Sequence, residues 1–163
     1  MRPLRERSLF DLDWRFKLAG AELSAFGAAW SNSASFRGEG EYDDAGWQTI
    51  DLPHDFVVER HPLPENALPE LGRSLSSKNG GYRPGGVGWY HKRFDVPAED
   101  QERRTYLYFD GIYRDSHIYL NQFLVGRHLS GYTSAYFDVT DFLNYGGENL
   151  LSVRVDATQS EGW

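Results

Sequence analysis

The chain has 163 residues, about one domain by length and enough to bury roughly two thirds of its unfolded surface without staples. Its 17 basic and 24 acidic residues leave a formal net charge of −7, which argues against nucleic acid, where phosphate neutralisation needs clustered Lys and Arg. There is no cysteine, so disulfides, thiolate catalysis and zinc–thiolate sites are excluded.

The opening stretch "MRPLRERSLFDLDW" is charged and lacks the apolar core of a signal peptide, and no apolar run approaches ~20 residues. The expectation is a cytoplasmic chain with no membrane partner, the periplasm staying open if a leader has been removed. "DWRFKL" (Asp13–Leu18) alternates as a strand, and the Ala-rich "LAGAELSAFGAAW" (Leu18–Trp30) reads as an insertion. "GEYDDAGW" (Gly40–Trp47) is turn chemistry, because Asp side chains mimic a backbone turn. "WQTIDLP" (Trp47–Pro53) is a second strand. Val57–Gly81 holds three prolines and no pattern, a loop long enough to be functional or disordered.

Gly80–Gly88 packs five glycines and one proline into nine residues, and directly after it the pattern becomes strict. Trp89, His91, Arg93 and Asp95 would face one way, Tyr90, Lys92, Phe94 and Val96 the other, with Trp89 and Tyr90 both read as core. "TYLYFDG" (Thr105–Gly111) is a strand ending in Asp-Gly. Asp115–Gly131 is a hairpin that turns at Asn121-Gln122 and returns over Phe123–Leu129. Ala135–Val139 is a strand, followed by one helical turn with Thr140 as expected N-cap. Gly146-Gly147 breaks the chain, and Leu151, Val153 and Val155 point inward from the last strand. Seven to nine short strands, few helices and short hairpin turns imply an all-β, antiparallel β-sandwich.

Chemistry is harder to place from the residues alone. His54, His61, His91, His117 and His128 show neither H-x-H nor H-E-x-x-H spacing, so no metal site is expected, and His91 and His117 read as structural. Asp43-Asp44 could help hold calcium, although an acidic turn is the commoner explanation. There is no G-x-S-x-G elbow, and "GGYRPGG" lacks a P-loop's Lys-Ser/Thr and opens a strand. Glycoside hydrolysis needs a carboxylate pair, and no pair stands out here. The aromatic residues suit strand faces, and also suit stacking on the C–H faces of sugars.

The succession "DDAGWQTIDLPHDF", "PGGVGWYHKRFDVP", "YLYFDGIYRDSHIYLNQFLVGRHLSGYTSAYFDVTDFL" and "GGENLLSVRVD" resembles the N-terminal domain of glycoside hydrolase family 2, closest to β-galactosidase-like members. The resemblance covers Phe10 to Asp156. It implies a jelly-roll sandwich of the galactose-binding-domain type, conventionally called the sugar-binding domain. In the family it precedes an immunoglobulin-like sandwich and a TIM barrel that carries both catalytic carboxylates, one of them in an Asn-Glu dipeptide. No Asn-Glu occurs here. The resemblance therefore implies a single domain over residues 1–163, an excised fragment of a retaining glycosidase, with no catalytic residue and no cofactor. Its implied partners are a β-galactoside-type carbohydrate, met through the full-length enzyme, and the remaining domains of that polypeptide; a homo-oligomer stays open.

In the family, loops of this domain wall the subsite for the non-reducing sugar. The implied rim is His54, Asp55, Asn79, Tyr82 and Arg83. Against that stands a structural role: Asp55 capping backbone N–H groups and Gly85-Gly86 merely turning the chain. A free-standing carbohydrate-binding module and a purely architectural domain are the competing functions. Two departures from the family pattern carry physical consequences. Asn121-Gln122 replaces Asn-Gly, so either the turn differs or Gln122 is strained by about 1–3 kcal/mol. Phe56 replaces Trp, which keeps the ring and loses the N–H donor.

Overall fold

The computed structural model describes residues 5–19, 44–59 and 85–158. Within them lie β1 (Trp14–Leu18), β2 (Gln48–Ile50), a one-turn helix α1 (Phe56–Glu59), β3 (Val87–Val96), β4 (Tyr106–Phe109), β5 (Ser116–Leu120), β6 (Phe123–His128), β7 (Ala135–Asp138) and β8 (Gly147–Asp156). Two 3₁₀ turns, Ala98–Asp100 and Thr140–Phe142, complete the set. The expected insertion and the long proline loop fall, beyond Ala19 and Glu59 respectively, outside the described residues.

Six strands form one sheet in the order β2-β1-β3-β8-β5-β6, and β4 and β7 form a second, every strand pair being antiparallel. One isolated parallel bridge, Val96 to Tyr145, lies outside the strands. The layers meet over a single core. Trp14, Phe16, Tyr90, Leu151, Val153, Val155, Ile118 and Leu120 supply it from the large sheet, and Leu107, Phe109 and Phe137 pack against it from the small one. Alternation explains the assignment: on β1 Trp14 and Phe16 are buried while Arg15 and Lys17 are not. This is the antiparallel β-sandwich expected from the sequence.

β8 differs from a simple alternating strand. Both of its faces are buried from Asn149 to Val155. The registers place Lys17, Trp89, Arg154, His117 and Arg127 in one row across the outer face of the large sheet. Arg154 lies on the outer face and is only 4% exposed. It survives burial because its guanidinium donates to Asp156 Oδ2 at 2.9 Å. Trp89 belongs to this row and is half-buried, whereas Tyr90 alone of the pair enters the core.

The β5–β6 hairpin turns at Asn121 and Gln122 with φ of 48° and 76°. Both values are positive, as a type I′ turn requires, so the turn keeps its expected geometry and Gln122 bears the strain. Asn121 is tied down further. Its Nδ2 donates to Phe142 O (2.9 Å) and Asn149 Oδ1 (2.7 Å), and its Oδ1 accepts from Leu150 N (2.9 Å). Thr140 is not the cap of the turn that follows β7. Val139 occupies the N-cap position, and Asp138 Oδ1 accepts from both Thr140 N (3.1 Å) and Thr140 Oγ1 (2.6 Å). The carboxylate one strand residue earlier out-competes the hydroxyl.

Candidate functional site

Of the residues singled out in the sequence, His54 and Asp55 are described, and His54 reaches β3. After Pro53, His54 turns inward and its side chain is 4% exposed. Its Nδ1 lies 2.9 Å from the Tyr90 hydroxyl, and its ring packs edge-on against Phe16 at 4.6 Å between centroids. Nε2 approaches Glu59 Oε2 to 3.1 Å without hydrogen-bond geometry. Burial first, and the charges of Asp55 and Glu59 after it, push the Tyr90 phenol above its usual pKa, so it keeps its proton and can donate to His54. His54 thus registers its loop onto β3.

Asp55 is exposed and caps α1. Its Oδ1 accepts from Val57 N (3.0 Å) and Val58 N (3.1 Å), the N2 and N3 donors of a helix the sequence pattern did not announce. Phe56 is 5% exposed and stacks on Phe16 with centroids 5.6 Å apart, so the ring of the family's Trp position is kept for packing. Gly88 lies directly under these rings. A Cβ there would come within 2.9 Å of Phe16 and 3.1 Å of Phe56, so only glycine lets α1 settle on the strand.

Tyr82, Arg83 and Asn79 lie outside the described residues, which resume at Gly85. Gly85 runs against the exit of β8: a side chain on it would collide with the Ala157 carbonyl, and Ala157 N donates to Gly86 O at 2.8 Å. The bend before β3 and the chain leaving β8 are therefore clasped together.

The same end of the sheet carries charged groups the sequence reading passed over. Arg127 grips Asp115 with two hydrogen bonds, Nε to Oδ1 at 2.7 Å and Nη2 to Oδ2 at 2.9 Å. These bonds lower the Asp115 pKa against the opposing effect of burial. Asp156 Oδ1 accepts from Thr158 N (3.0 Å) and Thr158 Oγ1 (2.6 Å), while Asp156 N donates to Arg114 O (3.1 Å). Burial lowers the His117 pKa, with Asp115 opposing and Arg127 and Arg154 adding to the shift. Cross-strand alternation of Asp115, His117, Arg127 and Arg154 was the available signal, but it needed the register to be read.

Farther along the outer face, His91 stacks on Trp47 at 4.1 Å and faces Asp44, whose Oδ2 lies 3.4 Å from His91 Nδ1 and 3.5 Å from Arg93 Nη2. Asp44 thus faces basic side chains, and Asp43 lies outside the described residues. Among the described residues no group of three His, Asp or Glu side chains converges as metal ligands. Among the described residues, this end of the sheet offers hydrogen-bond donors, acceptors and rings. That chemistry suits holding a polyhydroxylated ligand or a neighbouring domain.

Residues 8–162 match the family model described as glycosyl hydrolases family 2, sugar binding domain. A β-galactosidase of Bacteroides ovatus, BoGH2A, is 36% identical over 152 residues, covering 93% of this chain and 15% of that protein. Among solved structures, a glycosyl hydrolase family 2 member from Bacteroides cellulosilyticus superposes with a TM-score of 0.67 at 31% identity, covering 93% of this chain and 18% of its own. A β-glycosidase from Bacteroides vulgatus gives 0.70 at 26% identity, with 93% and 17% covered. The chain thus spans less than a fifth of the length of these relatives.

Proposed function

Since the chain belongs to the sugar-binding domain family of glycoside hydrolase family 2, we propose that it serves a longer, retaining, β-galactosidase-like hydrolase as an accessory domain that shapes the mouth of the active centre. The catalytic carboxylates lie on another domain of that polypeptide, and this one contributes a rim. Tyr82 and Arg83 meet the sugar with a ring face and a charged donor, Asn79 adds an amide, and His54 and Asp55 hold the neighbouring loop in register.

The observation that carries this reading is the clasp at Gly85–Ala157 beside α1. It ties Gly85 and Gly86, the first described residues after Tyr82 and Arg83 in the chain, to the exit of β8, and this supports the reading because a site next to such a tie has a rigid neighbour. The galactoside preference draws on the likeness to BoGH2A; other relatives, such as a protein of Formosa agariphila 33% identical over 114 residues, carry the name putative β-glucuronidase.

The test is steady-state kinetics of the hydrolase that contains this chain, on 4-nitrophenyl β-D-galactopyranoside and the matching glucuronide. Tyr82→Ala and Arg83→Ala should each lower kcat/KM on the galactoside by about tenfold, the equivalent of about 1.4 kcal/mol, with an unchanged melting temperature. Unaltered kinetics in both variants would remove the rim from the site, and preference for the glucuronide would replace the substrate.

A further inference from the structure

The small sheet has an inward face that completes the core and an outward face with no part in it. Four residues point outward from β4 and β7: Tyr106, Tyr108, Tyr136 and Asp138. Three of the four are tyrosine, and they are 42%, 50% and 58% exposed. Tyr106 and Tyr136 stack with centroids 4.8 Å apart and planes 12° from parallel, and Tyr108 meets Tyr136 edge-on at 6.4 Å. Arg104 Nη1 donates to Asp138 Oδ2 at 2.8 Å beside the rings, and the Arg7 guanidinium lies 5.3 Å from the centre of the Tyr108 ring.

We propose that this outward face binds a neutral polysaccharide chain, at a place separate from the rim beside Gly85. The sugar's C–H faces lie on the tyrosine rings, and its hydroxyls bond the phenols and the Arg104–Asp138 pair. Size and charge select this occupant. Among the described residues, four residues of strand make a face about 13 Å long and two strands wide. That is far short of the ~800 Å² per partner of a stable protein interface, but adequate for a narrow, extended polymer. Arg104 and Asp138 pair with one another, Arg7 adds a cation over Tyr108, and the chain as a whole carries a net charge of −7, which disfavours an acidic polymer. The four outward residues include no aliphatic side chain: three are rings that each carry a hydrogen-bonding hydroxyl, and the fourth is Asp138.

Cross-strand tyrosines can also serve only to hold two short strands together. The experiment separates these roles. The 163-residue chain is run by native affinity electrophoresis through gels containing galactomannan, xyloglucan, mixed-linkage β-glucan or, as the acidic control, polygalacturonate. The expected result is retardation by at least one neutral polymer and none by polygalacturonate. Tyr108→Val with Tyr136→Val keeps strand propensity and removes two rings, and should weaken binding about tenfold or more. Tyr136→Phe should stay within about threefold of the parent. A far-ultraviolet spectrum checks the fold of each variant, and Tyr136→Thr alone replaces the double variant should that one unfold.

No retardation in any neutral gel, or equal retardation of parent and valine variant, overturns the proposal. So does self-association of the parent that the valine variant abolishes, because the face would then be a contact between copies. Tyr82→Ala leaves the retardation unchanged, and the valine variant leaves aryl-galactoside turnover unchanged, so the surface site and the rim fail separately.

Discussion

Asn149 is the side chain whose removal should tell most about how the sandwich is closed. It is 1% exposed and uses every hydrogen-bonding position it has. Its Oδ1 accepts from Asn144 N (2.6 Å) and Asn121 Nδ2 (2.7 Å), and its Nδ2 donates to Asn144 O (3.0 Å) and Gly147 O (3.1 Å). One amide therefore joins the β5–β6 turn to the turn that opens β8. Asn149→Ala gives up all four of these part-buried bonds, each worth about 0.5–1 kcal/mol net. The expected loss is about 3 kcal/mol. With a urea slope of about 2–3 kcal/mol per molar, the unfolding midpoint should fall by about 1 M, followed by tryptophan fluorescence. Asn149→Asp sharpens the argument. Its carboxylate keeps both accepted bonds but sets an oxygen against the Asn144 and Gly147 carbonyls, which raises its folded pKa above the ordinary ~3.9. The cost is then fully present at neutral pH and shrinks as pH falls through the raised pKa and the acid can donate. A loss under about 1 kcal/mol for the alanine variant, or an aspartate variant as stable as the parent at pH 7, would refute the assignment of this amide as the clamp between the two turns.

Two further outcomes follow from the described geometry. Gln122→Gly should stabilise the chain by about 1 kcal/mol in the same urea assay, since relief of the positive φ exceeds the extra freedom of the unfolded glycine; a neutral or negative effect would mean the turn is relaxed as it stands. Burial, acting against Asp44, pushes the His91 pKa down to about 4, so protonation favours the unfolded chain, and stability should fall by about 2 kcal/mol as pH drops from 7 to 5. His91→Gln should remove most of that decline, and an unchanged pH profile would show that the ring titrates freely.

The strands were legible because each carries its own evidence. "DWRFKL" alternates, and its inward Trp14, Phe16 and Leu18 are found in the core; from "YHKRFDV" Tyr90 and Phe94 reach it, while His91 on the opposite face is buried as well. What stayed hidden depends on register between distant segments. Asn149 has local partners in residues 144 and 147, but Asn121, 28 positions away, reaches it only once β5 and β8 have paired. His117 reads as structural from the sequence, but that it sits beside Arg154 in the outer row appears only once the registers are known. α1 has four residues, too short for any helical period, and its one sequence sign was the Asp55 cap. For the candidate site, His54 and Asp55 were legible as neighbours of a strand end. The Tyr90 contact that turns His54 inward was not, since it spans 36 positions.

The rigidity of one sheet end explains why a glycine-rich bend should precede so regular a strand. β3 and β8 pair over ten residues, from Val87 opposite Asp156 to Val96 opposite Gly147, in the middle of the large sheet. At their open end the backbone of Gly85 is pressed against Ala157, and the bond from Ala157 N to Gly86 O carries the pairing past the last strand residue. Glycine is required there because of the close approach, so the bend is fixed by contact even though its residues are intrinsically permissive. Alongside, α1 is held by the Phe16–Phe56 stack and by His54 on the Tyr90 hydroxyl, both of which refer back to β3 or its neighbour β1. Two loop attachments and a strand exit thus share one reference frame, and a substitution at Gly85 should displace them together.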